Sequence, residues 1–355
     1  MGGRELRVGV PADLTRIGGR SGHGNVWRQV LQQLAARCSI LPGGSDGRRR
    51  LRRQAAPDVW LSDGHQGSLA VDAPRVVLAH DAGWGTPELS ALLDPEFLDA
   101  IDRMTGEGVR DATATIVPSA STKTQLVERY AVDPDAIHVV PHGVDLATFN
   151  PGADRAESVL QRAGWSDGRP YVLFVSQLHP RKNLGVLREA MVRLIERGYP
   201  HGLVVVGGPP ADRADGQAIV EALTAPLPGA AGRLVRVVAP SDEELAGIMA
   251  GADVLCLPSL MEGFGMTPLE AMACGTPVIV SDRGSLPEVV GDVGTVVAPT
   301  VDDVEGGLAS VLALDEDERA ELGRAVRHHA EGFTWARTAA GWHDVLERAT
   351  GRADG

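Results

Sequence analysis

Short apolar runs alternate with stretches of helical periodicity along the whole chain. That rhythm predicts parallel β-sheets covered by helices. In the first half the predicted strands are Leu6–Val10, Val59–Leu61, Val76–Ala79, Thr115–Val117 and His138–Val140. The predicted helices between them are Asn25–Arg37, Pro87–Met104 and Thr122–Tyr130, the last with Ser121 as its cap. Gly143–Arg169, rich in Gly, Asp and Pro, breaks the rhythm. The pattern then restarts, with strands at Tyr171–Ser176, Leu203–Val206, Leu234–Val238, Val254–Leu257, Pro277–Val280 and Thr295–Val297. Helices are predicted at Asn183–Arg197, Asp242–Ala250 and Thr267–Ala273, then at Val301–Ala313, Glu316–Glu331 and Trp335–Thr350. Runs such as LVVV and VLCL are continuously apolar, as strands covered on both faces must be. The expectation is an α/β protein of two doubly wound sheets, each offering its strand C-terminal ends to a shared cleft. The predicted boundaries are 1–150 for the first domain, 151–169 for a linker, 170–334 for the second domain and 335–355 for a final helix.

Composition narrows this picture. Hydrophobic residues make up 43% of 355 positions, enough for two buried cores. Net charge is −13, and the second half carries most of it: residues 1–150 hold 16 Lys and Arg against 18 Asp and Glu, the rest 18 against 29. Such an acidic chain is a poor nucleic-acid binder. The three cysteines, Cys38, Cys256 and Cys274, form no CxxC pair, which argues against a zinc site or a disulfide framework. No leader-like start and no apolar run of about 18 residues is present, so a cytoplasmic location is expected. The run GRRRLRRQ (47–54) places five Arg in six residues. It reads as a solvated helix face or as a peripheral contact with an anionic membrane.

The most informative stretch is Pro258–Gly284. A buried strand ends at Pro258, a glycine-containing loop carries Glu262, and Thr267 is expected to cap a helix with Pro268 in its first turn. The N–H groups of Gly265, Met266 and Thr267 at that helix start suit an anion such as a diphosphate. Glu262 and Glu270 flank them, and carboxylates accept hydrogen bonds from vicinal hydroxyls. Together they suggest a nucleotide sugar; each alone reads equally as a surface charge. Arg181 and Lys182, in a loop between strand and helix, would neutralise a diphosphate and stabilise it as a leaving group. The loop GGRSGHGN (18–25) brings Gly19, His23 and Asn25 to a helix start, as a ligand loop or a plain surface loop. His80, followed by Asp81, ends a predicted strand, where a polar residue faces a site. His142 and His179 are loop residues of either kind. No HExxH, DxD or Cys/His cluster suggests a metal.

The ordered set of these motifs resembles the retaining glycosyltransferase family 4, which has the GT-B fold of two Rossmann-like domains facing a central cleft. Glu262 and Glu270 have the spacing of its E-x7-E signature, and VSQLHPRKNLGVLREA (175–190) resembles the phosphate-binding segment of its RKN-type, mannosyltransferase-like members. VVPHGVDLATFNP (139–151), IVPSASTKTQLVERY (116–130), the VLAHD stretch around His80, APSDEELAGIMAGADVLCLPS (239–259) and FTWARTA (333–339) resemble further segments in order. The resemblance implies a retaining, metal-independent enzyme without a cofactor. It would move a hexosyl unit from a GDP-mannose-like or UDP-hexose donor to a hydroxyl of a glycan or small natural product, with lipid acceptors also open. It implies that Glu262 contacts the donor sugar, Glu270 the ribose, and Phe264, Gly265 and Met266 the sugar and diphosphate. Gly19 and Gln177 would border the diphosphate, although many members carry Arg where Gln177 stands. His80 would position the donor sugar, and His23, Asn25 and Asp81 the acceptor. The final helix would return to the acceptor-binding N-terminal domain. A nucleotide-sugar-binding subunit without turnover, or an epimerase of the same fold, remain the other readings.

Overall fold

A computed structural model describes residues 5–16, 22–43, 56–67, 71–153, 156–165, 168–210 and 213–351. Gly19 and Arg48–Arg53 therefore lie outside the described residues. The strands are β1 (Arg7–Pro11), β2 (Ser39–Gly43), β3 (Val59–Asp63), β4 (Arg75–Leu78), β5 (Ala114–Val117), β6 (Ile137–Val139), β7 (Tyr171–Val175), β8 (Gly202–Val206), β9 (Leu234–Val237), β10 (Val254–Leu257), β11 (Val278–Ser281) and β12 (Thr295–Val297). The helices are α1 (Gly22–Leu34), α2 (Pro87–Ser90), α3 (Pro95–Arg110), α4 (Ala120–Tyr130), α5 (Ala156–Arg162), α6 (Leu184–Glu196), α7 (Gly216–Thr224), α8 (Asp242–Ala250), α9 (Met266–Ala273), α10 (Leu286–Val290), α11 (Val301–Leu312), α12 (Glu316–Ala330) and α13 (Trp335–Ala349).

Two six-stranded sheets form, in the orders β2-β1-β3-β4-β5-β6 and β12-β11-β10-β7-β8-β9. The paired strands run parallel throughout. The chain divides into unit 1 (Met1–Thr86, Pro95–Gly143 and Phe333–Gly355) and unit 2 (Pro87–Asp94 and Val144–Gly332). The division falls at Gly143 rather than at residue 150, and the expected linker 151–169 lies within unit 2, where it forms α5. The Gly, Asp and Pro around that helix hide its seven residues from pattern reading.

In unit 1 the central strands β3, β4 and β5 are buried along their whole length. Helix α13 packs on α1, with Trp27 and Trp342 edge to face at 5.6 Å between ring centroids. Thr338 Oγ1 also donates to the Pro141 carbonyl at 2.8 Å. In unit 2, β7, β8, β10 and β11 form the buried centre.

Three local expectations are corrected. The single helix 87–104 is two, because Pro95 disfavours helical backbone at Asp94 and begins α3 afresh. Strand β2, SILPG, escapes pattern reading because it is an edge strand carrying Pro and Gly. Helix α4 is capped by Ser119, whose side chain accepts from the Thr122 amide, and not by Ser121.

Candidate functional site

Each sheet reverses its winding once. In unit 2 the reversal lies between β7 and β10, in unit 1 between β1 and β3. Loops leaving the strand ends at such a point diverge to opposite faces and leave a crevice. The chemistry-bearing residues of each unit gather there.

In unit 2 the loop after β7 is shaped by His179. Its side chain accepts from the Arg181 amide at 3.0 Å and caps the turn Pro180–Lys182. Asn183 follows in the left-handed region with φ 58°, a conformation Asn tolerates better than most residues, and starts α6. Its side-chain Nδ2 donates to the Pro299 carbonyl at 3.1 Å. This geometry turns Lys182 inward. The buried ammonium lies 2.5 Å from Glu262 Oε1 in the loop after β10. Arg181 Nη1 donates to the Met261 carbonyl at 3.2 Å and lies 3.9 Å from Glu262 Oε2.

Glu262 is held from every side. Ser259 Oγ donates to Oε1 at 2.8 Å, and Ser285 donates to its carbonyl through both N–H and Oγ. Burial alone would push the Glu262 carboxyl up. The Lys182 and Arg181 charges and the hydrogen bonds from Lys182 and Ser259 outweigh it and hold the group below the ordinary range. Two cations against one carboxylate leave one positive charge in excess at this crevice, which suits an anion.

Gly284 makes the close approach possible. It sits at φ 60°, and a Cβ there would lie 2.4 Å from the Glu262 carbonyl oxygen. Gly284→Ala is expected to cost about 1–3 kcal/mol through strain and displacement of that loop. Denaturant unfolding checks this; a ΔG equal to the parent's would show that the loop does not depend on this contact.

Helix α9 begins beside Glu262, and its N-cap is Gly265 at φ 109°, with no side-chain cap. Thr267 is inside the helix, so the expectation that it caps is corrected. Gly tolerates the left-handed backbone and leaves the Met266 and Thr267 amides at the helix start, where a helix has no internal acceptors for them. Phe264 is buried, while Met266, Thr267 and Glu270 are half-buried. Desolvation, with a smaller contribution from the Asp242 charge, raises the Glu270 carboxyl to about 8. Gln177 is exposed in the loop after β7.

In unit 1 the residues meet around Asp63, at the end of β3. Asp63 Oδ2 accepts from Trp27 Nε1 at 2.9 Å and lies 2.9 Å from His23 Nε2 and 3.4 Å from His80 Nε2. Its Oδ1 accepts from the His65 amide at 2.9 Å. The His23 and His80 rings are 4.1 Å apart, and His142 lies 5.8 Å from His80. Burial pushes the Asp63 carboxyl up, but the two imidazoles outweigh it and hold it well below the ordinary range. Burial lowers His23, but Asp63 and Asp81 reverse this and raise it. For His80, burial and the neighbouring His23 and His65 prevail over Asp63 and lower it. His142 is lowered further, by burial and by His80 and His23. Asn25 Oδ1 accepts from Arg28 Nη2 at 2.8 Å.

The structure thus brings Arg181, Lys182 and Glu262 together in unit 2, and His23 and His80 together in unit 1. Sequence reading missed Asp63, Ser259 and Ser285. Asp63 carried the same signal as His80, a polar residue closing an apolar strand, and could have been found by it.

Two parallel six-stranded sheets, each with its residues at the winding reversal, define the GT-B class of α/β fold. Sucrose-phosphate synthase from Thermosynechococcus elongatus shares the fold with a TM-score of 0.78 at 20% identity, covering 98% of this chain and 100% of that one. HepE of Anabaena, solved with UDP and glucose, does so with a TM-score of 0.75 at 16% identity, covering 97% and 100%. Residues 157–329 match the family described as Glycosyl transferases group 1, and residues 21–148 match Glycosyltransferase Family 4. The chain is 33% identical over 301 residues to the D-inositol 3-phosphate glycosyltransferase of Jonesia denitrificans, covering 81% of this chain and 70% of that protein. It is 34% identical over 290 residues to the protein of that name from Nocardia farcinica, where the match spans 79% of this chain but 63% of the relative. The chain belongs to glycosyltransferase family 4. Among the described residues no helix is long and apolar enough to cross a membrane.

Proposed function

We propose that this chain is a retaining glycosyltransferase that moves a hexosyl unit from a nucleoside-diphosphate sugar to an acceptor hydroxyl. The observation that carries the reading is the Arg181–Lys182–Glu262 cluster with its excess positive charge, beside the start of α9. Arg181, Lys182 and the amides of Gly265, Met266 and Thr267 hold the diphosphate, with Gln177 at its border. Glu262 accepts from hydroxyls of the donor sugar and Glu270 from the ribose, while Phe264 lines the sugar. As the anomeric C–O bond breaks, the two cations stabilise the departing diphosphate, so this step needs no metal ion. The acceptor oxygen bonds to the anomeric carbon on the face the diphosphate leaves, and its proton passes to the leaving phosphate oxygen. In unit 1, His80 contacts sugar hydroxyls, and His23 with Asp81 and Asn25 contacts the acceptor. The names of the relatives favour a small polyol acceptor, and inositol 3-phosphate is the first to try. Donor base and sugar follow the RKN resemblance towards GDP-mannose, with UDP-hexoses next.

A thermal-shift panel of GDP, UDP, ADP and dTDP, each with and without magnesium, tests the reading. The expected result is stabilisation by one nucleotide that magnesium leaves unchanged. No shift with any of the four would remove the donor site. A shift without glycosyl transfer from the matching donor to any polyol or glycan would favour a binding subunit.

A further inference from the structure

The cluster at Asp63 brings two imidazoles to one carboxylate oxygen. The buried His80 Nε2 makes no hydrogen bond of acceptable geometry. It stands 3.4 Å from Asp63 Oδ2, while His23 Nε2 approaches the same oxygen to 2.9 Å. All three ligand atoms lie within 4.8 Å of one another.

The two spacings to Asp63, 2.9 and 3.4 Å, are those of ligands sharing one ion. With metal bonds of about 2.0–2.1 Å, two ligands of a tetrahedral ion sit about 3.3 Å apart. The three side chains come from different elements, α1, the end of β3 and the segment after β4, so the backbone fixes their convergence. Asp63 is further held by Trp27 Nε1 and the His65 amide, at 2.9 Å each. Such outer contacts orient a metal-binding carboxylate. His23 is half-exposed, which leaves a path for an ion. Two imidazoles and one carboxylate select a borderline ion over magnesium or calcium.

We propose that His23, Asp63 and His80 form a binding site for a borderline divalent ion, Zn2+ or Co2+. The site lies wholly in unit 1, on the two histidines assigned above to sugar and acceptor contacts, and its metal titration is a separate readout from the nucleotide test of unit 2. Occupation engages Nε2 of His80 and leaves Nδ1 as the ring atom that can face a hydroxyl. An ion there acts as a lock on His80, so enzyme prepared with chelator and enzyme loaded with zinc differ at that ring.

The test is direct titration of chelator-treated, tag-free protein with Co2+ by visible absorption and with Zn2+ by calorimetry. The expected result is one equivalent bound, with d–d bands of low-symmetry Co2+ and no heat from Mg2+. Asp63→Asn and His23→Gln should each weaken binding by at least about tenfold. His23→Gln alters a half-exposed side chain, and far-UV dichroism of both variants confirms folding. His343→Ala should leave binding unchanged, because His343, Asp344 and Glu347 are the other described grouping of such ligands. Absence of Co2+ absorption, binding that survives both cluster variants, or binding lost with His343→Ala would each overturn the proposal.

Discussion

Lys182→Met is expected to destabilise the protein by about 3–5 kcal/mol at neutral pH and to remove its stabilisation by nucleotide diphosphate. The substitution strands Glu262, whose carboxylate is buried and accepts from Lys182 Nζ at 2.5 Å. Removing one partner of a buried ion pair costs about that much, because the remaining charge keeps its desolvation penalty and loses its attraction. Arg181 at 3.9 Å offsets part of the loss, so the lower end of the range is expected. The pH dependence has a definite sign. In the parent, Glu262 titrates below the ordinary carboxyl range, so its contribution is present above that range and is lost as pH falls through the lowered value. In Lys182→Met the carboxyl rises, and acidification relieves the stranded charge instead. Urea unfolding at several pH values reads this directly. Adding Glu262→Gln should restore most of the stability but not the nucleotide response. If the double variant regains nucleotide stabilisation, the diphosphate is held elsewhere.

Glu270→Gln is expected to act in the opposite direction on stability. The Glu270 carboxyl is raised to about 8, first by desolvation and then by Asp242. A carboxyl raised in the folded state binds a proton that the unfolded chain releases at lower pH. Stability in the parent therefore falls as pH rises from the ordinary carboxyl range towards 8, and levels off above it. At about 1.4 kcal/mol per pH unit the full shift is an upper bound, and the half-buried side chain brings the expected loss to about 1–3 kcal/mol. Gln carries no charge at any pH, so the variant should be the more stable protein at pH 9 and close to the parent at pH 5. Thermal unfolding at the two pH values checks this; equal parent and variant midpoints at pH 9 would show that Glu270 is not desolvated. If the ribose donates to this carboxylate, nucleotide affinity in the parent also rises with pH through about 8 and is flat in Glu270→Gln. The raised value and the proposed ribose contact are linked: hydroxyl donors would supply the hydrogen bonds that the carboxylate lacks in the free chain.

Central strands were legible in the sequence because burial on both faces leaves no polar position to blur the run, as in YVLFV of β7 and VLCL of β10. Strand β2 was not, because an edge strand needs only one partner and tolerates Pro42 and Gly43. Helix caps were misplaced by two residues at Ser121 and Thr267, where Ser119 and Gly265 perform the task. Both errors arise from reading a cap by residue type, when the backbone angle at the position decides. For the candidate site, Arg181, Lys182 and Glu262 were visible as charges in loops after strands. Their mutual contact was not, since it depends on the left-handed Asn183 and on Gly284 clearing space for Glu262. Asp63 lies beyond the predicted strand Val59–Leu61 and was not singled out, although the strand itself runs on to it. Its role as the meeting point of His23, His80 and Trp27 arises from sheet order, which places β3 next to β1 rather than β2.

The return of the chain to unit 1 at Phe333 has a consequence for how the molecule can be divided. A Cβ on Gly143 would lie 2.2 Å from the Trp335 amide nitrogen, so the points where the chain leaves unit 1 and re-enters it are neighbours. In connectivity, Val144–Gly332 is a guest inserted between two neighbouring points of the host, with Pro87–Asp94 as a second, shorter excursion. Cutting at residue 143 does not release the host, because the piece left behind lacks α13 and exposes the Trp27 face that Trp342 covers. Excising the guest and splicing the two adjacent ends preserves that indole pair. The boundary of this protein's first half is therefore a circle closed in space, not a position along the sequence.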